Sequence, residues 1–271
     1  MESKNKMRKL RVDGYSYSEI AKKFDKSKKY TWRVCKSVKF SKSGNKRYSR
    51  EVKGILLKIK KQKKGVTTSK IRIIGHLLFD GTVYKSGYHH FVRYINSSKE
   101  LIDQFIKDVK ATYGLNPSSI EVYPNCFKVT FKSKNLYMDL MNYFESYSTS
   151  NQDIEIPDMI INSKKNIKLE FLKSFFEDEG SISANGRLMG DSKSYKIIKQ
   201  LGVLMEEFGF KFGICSYKEP TGYMYKIYLH KNKENLINFL KLGLFEKAIV
   251  AHGKNKGKKK LKVLKDIIKD K

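Results

Sequence analysis

The chain has 271 residues, with 57 Lys and Arg against 27 Asp and Glu and a formal net charge of +30. Its 40% apolar content is enough for an ordinary core, but so basic a surface repels itself and draws polyanions. No apolar run approaches the ~20 residues that span a bilayer, and Met1-Glu2-Ser3-Lys4 lacks the apolar start of a signal peptide. Nucleic acid rather than membrane is therefore the expected partner, and an intracellular, cytoplasmic setting is expected. In a Lys-rich thermophile composition Glu rises together with Lys, and here it does not keep pace. Cys35, Cys126 and Cys215 are odd in number, far apart and form no CxxC pair, which argues against a zinc ribbon or a disulfide framework.

Residues 1–70 hold 24 Lys and Arg against 5 Asp and Glu, most of the excess charge. Within residues 1–40 the pattern predicts three helices. The first spans Lys6 to Val12 and is closed by Asp13-Gly14. The second runs from Ser18, as N-cap, to Phe24. The third runs from Lys28 to Val38 and carries Tyr30, Trp32 and Arg33. The tract GYSYSEIAKKFDKSKKYTWRVCKSV resembles a helix-turn-helix, which places its basic third helix in the major groove. Lys28, Lys29 and Arg33 are the expected DNA contacts, flanked by Lys26 and Lys36. A three-helix cap without base contacts is the alternative; Tyr30 and Trp32 are read as core residues rather than base-stacking groups. Residues 41–69 read as a basic linker, helical in part over Val52 to Ile59.

The remainder reads as one pattern written twice. Residues 70–146 form a first copy and 169–252 a second, joined by a polar linker over 147–168 that contains Ile156-Pro157. Each copy begins with an apolar helix ending in an acid and a glycine, Asp80-Gly81 and Glu179-Gly180. In copy one, strands at Thr82–Tyr84 and Tyr88–Ile95 flank a turn at Lys85-Ser86-Gly87. A helix over Ser97–Lys110 follows, with Ser97 and Glu100 as a capping box. Strands at Ile120–Tyr123 and Phe127–Phe131 and a helix over Asn135–Phe144 complete it. Copy two repeats the order with strands at Ser181–Ser183 and Arg187–Met189 around Asn185-Gly186, then a helix over Ser192–Phe208. Strands at Phe212–Tyr217 and Tyr223–Leu229 and a helix over Lys233–Leu240 close that copy. The fold class is thus α+β, two αββαββα repeats with a small all-α domain in front. The tail, 253–271, reads as a basic, solvated helix over Lys258–Lys269 with Leu261, Leu264, Ile267 and Ile268 along one side.

Aligned on the final glycine, the two motifs read Ile73-Ile74-Gly75-His76-Leu77-Leu78-Phe79-Asp80-Gly81 and Leu172-Lys173-Ser174-Phe175-Phe176-Glu177-Asp178-Glu179-Gly180. Together with the matching sequence after each, they resemble the LAGLIDADG homing endonucleases, and IPDMIINSKKNIKLEFLKSFFEDEG is similar to monomeric archaeal members. The resemblance covers residues 70–252. It implies a saddle of strands on double-stranded DNA, a monomer, and a site-specific, metal-dependent double-strand cut. The metal would be Mg²⁺ (or Mn²⁺), and short 3′ overhangs would result. Asp80 and Glu179 would be the catalytic metal ligands, helped by the carbonyls of Gly81 and Gly180. Hard oxygen ligands suit Mg²⁺, which supplies an activated water and charge relief at phosphorus.

The resemblance also implies a basic residue after the last strand of each repeat: Lys132 or Lys134, and Lys231 or Lys233. Lys85, His89, Arg93, Arg187, Lys193, Lys218 and Lys226 would contact phosphates and bases. Departures from the motif are Leu78 and Glu177 at its sixth position and Phe79 and Asp178 at its seventh. Gly75 and Ser174 keep the third position small, whereas the bulk of Phe79 argues against close helix packing along the full interface. Asp178 is an alternative ligand to Glu179. His76 lies one turn before Asp80 and is read as a buried or solvated helix residue rather than a ligand. A non-cleaving DNA-binding regulator, or an RNA-splicing maturase with intron RNA as partner, is the alternative function. An intein is not expected, since the chain starts at Met1 and its end, Lys269-Asp270-Lys271, lacks the His-Asn of self-splicing.

Overall fold

A computed structural model of the chain describes residues 2–45, 47–48, 66–150, 153–183 and 186–269. They fall into two compact units, one within residues 1–62 and one within 63–271. The expected helix over Val52 to Ile59 lies outside the described residues, as does Asn185 of the second hairpin turn. Among the described residues no helix is long and apolar enough to cross a membrane.

In the first unit, α1 (Glu2–Val12), α2 (Tyr17–Lys23) and α3 (Lys28–Cys35) surround a small core of Met7, Ile20, Val34 and Cys35. At ~2 kcal/mol per fully buried side chain, so few residues form a slight core. Stacking adds to it: the guanidinium of Arg11 lies 3.9 Å from the Tyr17 ring centre and 4.3 Å from that of Phe40. Gly14 takes the left-handed conformation (φ 87°) expected after α1. The N-cap of α2 is Ser16 rather than Ser18. Ser16 Oγ accepts from Glu19 N, and Glu19 accepts from Ser16 N, a reciprocal capping box. Trp32 is 48% exposed, so it is not the core residue that aromatic character suggested. Thr31, Val34 and Cys35 take the inward face of α3 and leave Lys28, Lys29, Trp32, Arg33 and Lys36 outside.

In the second unit, α4 (Thr68–Asp80) leads into β1 (Gly81–Ser86) and β2 (His89–Asn96). Next come α5 (Lys99–Tyr113), β3 (Ser119–Val122), β4 (Phe127–Lys132) and α6 (Lys134–Leu140). A short helix, α7 (Asp158–Ile161), precedes the second copy. That copy runs α8 (Lys165–Asp178), β5 (Gly180–Ile182), β6 (Leu188–Ser192), α9 (Tyr195–Glu207), β7 (Phe212–Glu219), β8 (Gly222–Leu229) and α10 (Lys233–Leu242). A last helix, α11, spans Lys260–Lys269. Each copy forms a four-stranded antiparallel sheet of the same order, β1-β2-β4-β3 and β5-β6-β8-β7. The two-repeat α+β architecture read from the sequence is the observed one.

Alternation along the strands gives each sheet one buried face, Val92, Tyr94 and Val129 in the first and Leu188, Ile227 and Leu229 in the second. The two repeats share a single core through α4 and α8. The helices pack closely at the two small motif residues, where a Cβ on Gly75 would lie 2.6 Å from Ser174 Cβ. Phe79 does not hold the helices apart, because it is itself interfacial, with ring centres 5.7 Å from Phe171 and 5.1 Å from Phe175. Arg72 completes the seam. It forks onto Asp108 at 2.8 and 2.7 Å and reaches Glu170 of α8 at 2.7 Å.

Several boundaries differ from the sequence reading. The capping box of Ser97 and Glu100 does not form: Ser98 is the N-cap of α5, and its Oγ donates to the Lys247 carbonyl at 2.6 Å. Ser192 closes β6, and α9 starts three residues later, capped by Ser194. The linker is no polar tether, since it buries Tyr147, Ile154, Ile156 and Ile160 against the shared core. Nor is the tail merely solvated: α11 buries Val263 and Leu264 and, with them, Lys260.

Candidate active site

The three acids that end α8 are consecutive, and a helix turns ~100° per residue, so they point three ways. Glu177 faces inward and accepts from the Lys247 amide at 3.1 Å. Asp178 crosses to the first repeat. Its side chain has no exposed surface, and it accepts from His76 Nδ1 at 2.8 Å, Tyr94 OH at 2.7 Å and Asn96 Nδ2 at 3.0 Å. So held, Asp178 braces the repeat interface, its carboxylate engaged by His76, Tyr94 and Asn96. Glu179 is the C-cap of α8, just before Gly180 opens β5.

Asp80 ends α4 in the same way, and Asn96 Nδ2 also donates to Asp80 Oδ2 at 3.0 Å. One amide group thus joins Asp80 to Asp178. Gly81 and Gly180 are required by crowding rather than by a left-handed turn. Gly81 is extended (φ −116°), and a Cβ there would lie 2.5 Å from Leu77 Cα. At Gly180 a Cβ would clash with the Phe176 carbonyl. Each helix therefore passes straight into the first strand of its sheet.

The acids are perturbed as functional carboxylates are. Burial, then the charge of Asp178, pushes Asp80 up to about 7, against the pull of His76, Asn96 and Lys260. Burial, then Asp80, Asp178 and Asp191, drives Glu179 well above its ordinary range. Burial also raises Glu177. Burial opposes charge on His76, yet Asp178, with Glu177 and Asp108 beyond, raises it. His76 Nε2 is buried without a hydrogen-bond partner, 4.0 Å from Glu177. His76 is thus the buried helix residue expected, with its Nδ1 engaged by Asp178.

The basic residue at the acids is one that the sequence reading assigned to a solvated tail. Lys260 is 8% exposed, and its Nζ donates to the carbonyls of Gly180 at 2.5 Å and Glu177 at 3.2 Å. Burial lowers it against the pull of Asp178, Asp80, Glu177 and Glu179. Its signal was the spacing: Lys260, Val263 and Leu264 share one helical stripe. The lysines expected after the last strands lie elsewhere. Gly81 pairs with Tyr94, whereas Lys132 pairs with Phe91, three residues further along β2, or ~10 Å at strand rise. Lys134 begins α6 beyond it. Lys231 and Lys233 follow the far end of β8 and line a separate cavity with Leu236 and Ile268. The Gly180 carbonyl, expected to help bind metal, is engaged by Lys260.

The outer faces of the sheets, away from the helices, carry most of the expected DNA contacts. On the first, Tyr84 and Phe91 stack at 5.1 Å, Arg93 lies 4.9 Å from the Tyr84 ring, and Lys132 lies 5.4 Å from that of Phe91. His89 shares this face. On the second, Lys226 pairs with Asp191 at 3.5 Å, Arg187 lies 5.5 Å from the Tyr228 ring, and Lys193, just past β6, donates to Thr221 at 3.2 Å. Lys85 and Lys218 lie apart from the other expected contacts: by alternation they share the opposite, helix-side face with Val83 and with Phe212, respectively. Asp191, missed from sequence, adds negative charge near Glu179.

No protein-family model and no curated protein matches the chain. Solved structures do. A complex of the homing endonuclease I-DmoI with DNA and Mn superposes with a TM-score of 0.51 at 18% identity, covering 66% of this chain and 98% of that one. A structure of mesophilic I-DmoI variants gives 0.51 at 18% identity over 64% and 87%. A complex of a further I-DmoI variant with its target DNA gives 0.51 at 17% over 64% and 92%. The chain has the two-repeat fold of the LAGLIDADG homing endonucleases.

Proposed function

We propose that the protein is a site-specific, divalent-metal-dependent endonuclease that cuts both strands of duplex DNA. The observation that carries this reading is the convergence of Asp80 and Glu179. Two carboxylates with raised pKa values end two packed helices at the junction of two basic sheets. An acid at a helix C-terminus opposes the helix dipole, and burial adds several kcal/mol to the cost of ionising it. A bound cation would offset the cost of ionising two such acids side by side.

The residues fit a hard divalent ion. Among the described residues no group of three or more His, Cys, Asp and Glu is placed to hold a metal alone. Two carboxylates with phosphate and water as further ligands is the arrangement Mg²⁺ favours. Asp80 and Glu179 would hold the ion, which when bound supplies an activated water and charge relief at phosphorus. The I-DmoI complex of like fold contains DNA and Mn, which supports Mg²⁺ or Mn²⁺ here. Asn96 orients Asp80, Asp178 keeps the repeats in register, and Lys260 adds positive charge beside the acids. The outer faces bring His89, Arg93, Lys132, Arg187, Lys193 and Lys226 to the duplex, with Tyr84 and Phe91 supporting the cations. One chain carries both acids, so a monomer suffices.

The first unit is proposed as a second DNA contact through α3. Its exposed stripe of Lys28, Lys29, Trp32, Arg33 and Lys36 lies opposite the buried Thr31, Val34 and Cys35. Cleavage of a randomised plasmid library, with Mg²⁺ and with EDTA, tests the enzyme reading. Linear product at defined sites, present only with the metal, is expected. Uncut plasmid with Mg²⁺ and with Mn²⁺ would sink it.

A further inference from the structure

The two helix ends are held by different devices. Pairing Gly81 with Tyr94 and Gly180 with Gly190 makes Asn96 and Ser192 counterparts. Both do one task alike: Asn96 Oδ1 accepts from Ser98 N at 2.8 Å, and Ser192 Oγ accepts from Ser194 N at 3.2 Å. Asn96 has a second arm, its NH₂ group, which grips Asp80. Ser192 has only its short hydroxyl, which accepts from Ser194 N and makes no hydrogen bond to Glu179 among the described residues. At this place α11 delivers Lys260, whose ammonium spans the corner between α8 and β5 by donating to the carbonyls of Glu177 and Gly180. Glu177 is in the last turn of α8, whose carbonyls lack partners within the helix, and a cation there also suits the dipole. Residues 178 and 179 lie between the two clamped carbonyls. Val263 and Leu264, on the same stripe, seat α11 on the core.

We propose that Lys260 is a positioning residue of the acid site, a clamp supplied by the C-terminal helix that fixes Glu179 as Asn96 fixes Asp80. The inference rests on the reading of Asp80 and Glu179 as the metal-binding pair. It makes α11 part of the functional site rather than a basic appendage.

The test compares the full-length chain with Lys260→Met by amide hydrogen exchange and by calorimetric titration with Ca²⁺. Leu264→Ala serves as a control for loosened docking of α11. In Lys260→Met, exchange over residues 179–182 is expected to quicken at least tenfold while β3 and β4 stay as in wild type, and Ca²⁺ affinity is expected to fall at least tenfold. Leu264→Ala is expected to quicken exchange in α11 first. If Lys260→Met does not fold, Lys260→Gln is read by the same criteria. Exchange over residues 179–182 within twofold of wild type would overturn the proposal. Ca²⁺ binding equal to or tighter than wild type would do so too, since it would make Lys260 a competitor of the ion. If the wild type itself binds no Ca²⁺, the metal reading of the acids fails, and the exchange rates alone decide the clamp.

Discussion

His76 Nδ1 lies 2.8 Å from Asp178 Oδ2, a contact between the motif helix of one repeat and that of the other. Both side chains are at most 1% exposed, so the pair is shielded from solvent and not comparable to a surface ion pair. Removing one partner of such a pair strands the other, at ~3–5 kcal/mol. His76→Ala and Asp178→Ala are each expected to lose about that much in urea unfolding, with a coupling energy above ~1 kcal/mol in the double-mutant cycle. Losses that simply add would show that the contact does not brace the interface.

Asp80 gives the fold a pH dependence of definite sign. Its carboxyl stands at about 7 against an ordinary 3.8. Without metal, the folded chain therefore keeps this proton across an interval in which the unfolded chain has lost it. More protons bound folded than unfolded means that this group's contribution is fully present below the ordinary value. It is lost as pH rises through about 7. In EDTA, Asp80→Asn is expected to gain on the wild type by roughly 1–4 kcal/mol between about pH 4.5 and 7.5. A stability difference that stays constant over that range would contradict the buried acid.

Trp32 is the only tryptophan in the chain, and it is 48% exposed on α3, with Lys36 Nζ 5.3 Å from its ring centre. Tryptophan emission therefore reports on the first unit alone. Titration of the full chain with duplex DNA is expected to shift or quench it. Arg33→Ala is expected to weaken that signal about tenfold in affinity, or ~1.4 kcal/mol. Emission unchanged at DNA concentrations that saturate the chain by a mobility assay would leave α3 as a cap without DNA contacts.

Much of this was legible in the sequence because the local signals agree with the global fold. Asp80-Gly81 and Glu179-Gly180 marked the helix ends, and the repeated order of strands and helices after each gave the two-copy architecture. Lys85 and Lys218 were expected at the DNA from their charge alone, whereas the strand register puts them on the helix-side face. Asp191 was not legible, and the spacing of Lys260 with Val263 and Leu264 showed a buried stripe but not its destination, because both roles depend on contacts between residues far apart in sequence, the docking of α11 and the pairing of β6 with β8. Asp178 was ambiguous for a related reason. Three acids in a row are equivalent in sequence, and only the partners His76, Tyr94 and Asn96, from the other repeat, tell one from the next.

Asp80 and Glu179 are proposed as the metal-holding acids of a nuclease. The most direct test is cleavage of the plasmid library by wild type, Asp80→Asn and Glu179→Gln in Mg²⁺, with duplex binding measured in parallel. The expected result is metal-dependent cutting by the wild type and a loss of at least ~100-fold in each variant, with DNA affinity kept within a few-fold. Cutting that survives in either variant, or duplex binding by the wild type with no cut under Mg²⁺ or Mn²⁺ at a site it demonstrably occupies, would contradict the account.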